Sequence, residues 1–83
     1  MSREDIKIVG RTRSILAKHF LELDELHVGC SRGLVRIVGT VQRIGPLKEV
    51  MPITKKFLRD LQMEIKRFKE VKRVVFSEKQ ESE

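Results

Sequence analysis

GLVRIVGTVQ, residues 33–42, is the stretch whose reading decides the fold. Val35, Ile37 and Val41 alternate with Leu34, Arg36, Val38 and Thr40, the two-residue period that sends successive side chains to opposite faces of a β-strand. Gly39 shares the face of Val35, Ile37 and Val41, the better core face. A glycine inside a strand forfeits packing area and weakens pairing, so its presence needs a cause. Two are open: the missing side chain lets a helix cross the sheet closely, or the backbone bends or bulges there.

Just upstream, Leu26, Val28 and Cys30 alternate in the same way, and Ser31, Arg32 and Gly33 form a short turn containing glycine. Residues 26–41 therefore read as a β-hairpin. Before it, residues 2–21 carry a helical pattern in Ile6, Val9, Leu16 and Phe20, opened by Ser2 and Asp5 at capping-box spacing. Gly10 lies inside that pattern, marking either a close helix contact or a tolerated defect. Residues 42–52, punctuated by Gly45, Pro46 and Pro52, read as a loop with room for one helical turn. The second helix is expected from Pro52 to Phe68, with Phe57, Leu58, Leu61, Ile65 and Phe68 as its core stripe. Residues 71–76 read as a third strand, and residues 77–83 as a polar tail expected to be disordered.

The resulting order is α-β-β-α-β. A strand that follows a helical crossover returns parallel to the strand before it. The prediction is an α+β fold, a two-layer α/β sandwich with a three-stranded mixed sheet and two helices on one face, the face of Val35 and Ile37. It occupies a single domain, residues 1–76.

Eighty-three residues allow one small domain, and the single cysteine, Cys30, excludes an internal disulfide. The N-terminal residues show no apolar leader, and no apolar run has membrane-spanning length, so the expectation is a soluble, cytoplasmic chain. A net charge of +6 favours anionic partners, either nucleic acid or acidic lipid headgroups.

Val28, Gly33, Val35, Ile37, Gly39 and Val41, followed by Val71 and Val74 of the last strand, together resemble the BON domain, a small bacterial module. The resemblance covers about residues 5–76. Glu70 stands where that family usually has glycine, and the stretch between Val41 and Val71 is longer than the family's. The resemblance implies a helix-strand-strand-helix-strand fold with Gly33 and Gly39 as structural glycines. It also implies a binding role, often associated with phospholipid surfaces, and carries no catalytic residues over.

Few residues point to chemistry. His27 and Cys30 fall on opposite faces of a strand, which does not suit metal ligation, and no orienting motif surrounds His19 and Cys30 as a base-nucleophile pair. No phosphate-binding glycine loop or paired-carboxylate motif is present, so a non-catalytic module with no metal and no cofactor is expected. The informative charges lie on the second helix, where Lys55, Arg59, Gln62, Lys66 and Lys69 line up as an acid-free stripe beside the apolar face. Lys55, Arg59, Lys66 and Lys69 are thus the candidate contacts for an anionic membrane surface. RNA backbone binding by the same helix is the alternative, although Trp and Tyr are absent. Leu34, Arg36 and Val38, with Val75 of the last strand, would lie on a sheet face left uncovered, a candidate surface for protein assembly.

Overall fold

In the computed structural model, which describes residues 3–77, α1 (Arg3–Lys18) leads through a 3-10 turn (Leu23–Glu25) into β1 (Leu26–Ser31) and β2 (Leu34–Gly39). A small arm of β3 (Arg43–Ile44) and β4 (Val50–Met51) follows, then α2 (Lys55–Lys66) and β5 (Arg73–Ser77). Strand β2 is central, antiparallel to β1 and parallel to β5. Val28, Cys30, Val35, Ile37 and Val74 face inward and bury against Ile8 and Leu16 of α1 and Leu61 and Ile65 of α2. The expected mixed sheet with both helices on one face is therefore formed.

The β1–β2 hairpin closes through Arg32 and Gly33, both with positive φ (52° and 84°), the backbone twist that two-residue hairpins favour. Gly33 is also where β5 arrives. Its carbonyl accepts from Lys72 N and Arg73 N at 2.8 and 3.2 Å, and a Cβ there would stand 2.9 Å from the Glu70 carbonyl oxygen. Gly39 has a different cause from the close helix entertained above. Its φ is 135°, and a Cβ would overlap the carbonyl oxygen of Glu25, at the end of the 3-10 turn, rather than any helix atom. The positive φ and the close approach of the Glu25 backbone, not a crossing by α1 or α2, require the glycine.

Other expectations shift. The buried stripe of α1 is Ile8, Thr12 and Leu16, whereas Ile6 and Phe20 are 58% and 41% exposed. Thr12 occupies a core position that its polar type concealed, and its hydroxyl has no hydrogen-bond partner among the described residues. Phe20 lies beyond the helix, which closes with Leu21 N donating to Leu16 O and Phe20 N to Ala17 O, both at 3.0 Å. These are the paired bonds of a Schellman cap, with Phe20 in the left-handed position (φ 66°) usually held by glycine and Leu21 buried beneath it. A Cβ on Gly10 would meet nothing within 4 Å, so that glycine marks no close contact. Ser2 of the expected capping box lies outside the described residues, as do residues 78–83 of the expected tail. Ser77, assigned to the tail, instead closes β5.

Residues 42–52 contain the β3–β4 arm where a helical turn was allowed. The arm folds back on the exit of α1, with Ile44 N donating to Phe20 O at 2.9 Å and Glu22 N to Gln42 O at 2.8 Å. Such pairings join residues far apart in sequence, so local periodicity does not announce them.

Candidate anionic-partner surface

Helix α2 starts at Lys55 rather than Pro52 because Thr54 is its cap: the Thr54 side-chain oxygen accepts from Phe57 N at 3.0 Å. It ends at Lys66, where the chain turns so that Val71 can re-enter the core. Lys55, Arg59 and Lys66 are exposed on one helical face. Lys69, expected on the same stripe, lies in the turn beyond the helix, exposed but off its regular register.

The acids of α2 are elsewhere. Glu64 points to α1, where its Oε1 accepts from His19 Nε2 at 2.8 Å and its Oε2 pairs with Lys18 Nζ. Hydrogen bonds from Lys18 first, then His19, hold the Glu64 carboxyl below its ordinary pKa of 4.5, with burial opposing them. These are the ion pairs formed among the described residues, so Lys55, Arg59, Lys66 and Lys69 have no carboxylate partner there. A depressed folded-state pKa contributes stability above the unfolded value and loses it as pH falls through the folded value. Glu64→Gln should therefore lower stability at neutral pH, by up to about 1 kcal/mol for so accessible a pair, with the difference vanishing in acid. Denaturation midpoints of both proteins from neutral pH to below pH ~3 check this; a difference that persists in acid would refute it.

One residue of this surface escaped the sequence reading. Met63 is 61% exposed and borders the cationic stripe, four residues after Arg59 and three before Lys66, with Asp60, Glu64 and Arg67 on its other side. The signal was present as an apolar residue off the core stripe.

Leu34, Arg36 and Val38 lie on the opposite side of the molecule, on the sheet face that the helices leave open; Arg36 is exposed, and Leu34 and Val38 are half-buried. The structure thus brings together Lys55, Arg59 and Lys66 but separates them from Leu34, Arg36 and Val38. His27 is exposed and Cys30 buried, on opposite faces as expected. Cys30 Sγ donates to Asp5 Oδ1 at 3.5 Å, and burial foremost, then Asp5, raises the thiol pKa, which disfavours the nucleophilic thiolate. His19, occupied by Glu64, makes a separate set of contacts.

A groove of about 430 Å³ lies at the carboxyl ends of β2 and β5, walled by Val41, Ile53, Leu58 and Phe76 with Thr40 and Ser77 at its edge. Among the described residues its lining carries no carboxylate, histidine or cysteine. Among the described residues no group of three potential metal ligands converges, and no helix is long and apolar enough to cross a membrane. No family model, no curated protein and no solved structure matches the chain.

Proposed function

We propose that the chain is a non-catalytic binding module of the BON type that rests on anionic phospholipid surfaces through α2. The observation that carries this reading is the exposed stripe of Lys55, Arg59 and Lys66, which meet no carboxylate among the described residues, with exposed Met63 at its border. A helix that binds in the interfacial plane needs both parts: cations for the phosphates and an apolar side chain to enter the headgroup region. Each cation near such a surface contributes about 1 kcal/mol, so the contact is weak, reversible and sensitive to salt. The resemblance in the hairpin residues supports the same role.

RNA is the less favoured partner because stacking faces are scarce. Arg43 covers the ring of Phe57 at 4.0 Å and Arg11 that of Phe68 at 4.1 Å, and Phe76 is half-buried, which leaves Phe20, 41% exposed and outside α2, as the one open ring of the four. The test compares vesicles of phosphatidylglycerol and phosphatidylcholine, vesicles of phosphatidylcholine alone, and a uridine oligomer, at low and physiological salt. Replacing Lys55, Arg59, Lys66 and Lys69 together by Gln should weaken anionic-vesicle binding by at least about tenfold and flatten its salt dependence. Met63→Gln should weaken binding while leaving the salt dependence unchanged, since it removes apolar insertion alone. Preference for the uridine oligomer, or indifference to every anionic surface at low salt, would refute the reading.

A further inference from the structure

The open face of the sheet has a composition that the membrane reading does not use. Arg36 stands at its centre, exposed, with half-buried Val38 and Leu34 two residues to either side on β2. The register sets Gly29 of β1 on one flank of Arg36 and half-buried Val75 of β5 on the other, with Arg73 beside Leu34. None of the residues facing outward from the three strands is acidic; Asp24 and Glu25 lie at one end beside His27 and Val38. Arg36 has no carboxylate partner among the described residues.

We propose that this face docks a carboxylate-bearing peptide segment of a partner protein, anchored by Arg36. An arginine flanked by apolar side chains on three sides, Leu34, Val38 and Val75, has the surroundings of an interface hot spot, where flanking groups exclude water and strengthen the central contact. The guanidinium fork matches a carboxylate in two parallel hydrogen bonds. Gly29 leaves room for it: a Cβ at that position would meet nothing within 4 Å. Three alternatives fit less well. A second copy stacked face to face about an axis through this centre sets Arg36 against Arg36, a like-charge clash. Nucleic acid would find no aromatic ring on the face to stack on. An apolar partner alone leaves Arg36 and Arg73 unanswered.

The surface lies on the layer opposite α2, so the inference stands or falls independently of vesicle binding. The test titrates the full chain against a short labelled peptide of Glu, Asp and Leu, its Gln and Asn counterpart, and a uridine oligomer, read by fluorescence anisotropy. The acidic peptide should bind at least about tenfold more tightly than its neutral counterpart, and Arg36→Gln should remove that advantage. Gly29→Asp, which sets a carboxylate beside Arg36 in open space, should block the peptide equally while the thermal transition stays in place. The α2 variant with four Gln should bind the peptide as the parent does. Peptide binding unaffected by Arg36→Gln, tighter binding of the uridine oligomer through Arg36, or a dimer in sedimentation that Gly29→Asp dissolves would each overturn the proposal.

Discussion

Gly39→Ala should destabilise the protein by about 3 kcal/mol, combining backbone strain and overpacking, each of order 1 to 3 kcal/mol. At φ 135° the backbone holds a conformation that side chains rarely allow, and the added Cβ would overlap the Glu25 carbonyl oxygen. The Glu25 carbonyl carbon and Leu26 Cα would stand at 3.1 and 3.2 Å. All three are backbone atoms, so no side chain can swing away. The same carbonyl accepts from Thr40 N at 3.2 Å, and Leu26 pairs with Gly39 in the ladder, so relaxation must pull apart the start of β1 and the end of β2. For a domain of this length, total stability is roughly 4 to 12 kcal/mol, which makes the loss a large part of it. Urea midpoints check it, with Gly29→Ala as the control. Gly29 lies in open space and its replacement should shift stability by less than about 1 kcal/mol. Equal midpoints for Gly39→Ala and the parent would show that Glu25 yields easily.

Arg43→Ala should cost about 2 kcal/mol, because one side chain ties three elements together through charge-assisted hydrogen bonds and a cation-ring contact. Its Nε donates to His19 O at 3.2 Å at the end of α1, and its Nη1 to Pro52 O at 3.0 Å before α2. Its guanidinium lies over Phe57 of α2, whose ring meets the His19 ring edge-on at 5.8 Å. Arg43 itself belongs to β3, so the arm is pinned by the same group. Lysine keeps the charge but not the planar fork. Arg43→Lys should therefore recover little of the loss, and amide exchange should quicken across residues 43–51. Full recovery by lysine would mean that charge, not geometry, holds the arm.

How far the chain is legible follows from the range of the interactions. The alternation of Val35 with Ile37, the turn at Gly33 and the stripe of Leu61 and Ile65 are local patterns that depend on backbone period alone. They were enough to order the strands, to return β5 parallel to β2 and to bury one face of each. The α1 stripe was displaced because Thr12, a polar residue, holds a core position between Ile8 and Leu16. The cap at Phe20 was hidden because an aromatic residue holds a place that glycine usually marks. The cationic stripe is legible, but Met63 at its border is not, because it lies off the core stripe.

The sequence by itself determined the α+β class, the strand order and the identity of the cations on α2, since each rests on periodicities of two or 3.6 residues along a short stretch. Tertiary structure alone decided which charges are free. Lys18 meets Glu64 across 46 positions in the chain, whereas Lys55, Arg59 and Lys66 meet no acid among the described residues. It also decided that Gly39 answers to the Glu25 backbone and that Arg36 stands exposed between Gly29 and Val75. Those outcomes depend on the approach of separate segments, and it is the closing of the sheet, not any local pattern, that brings the atoms together.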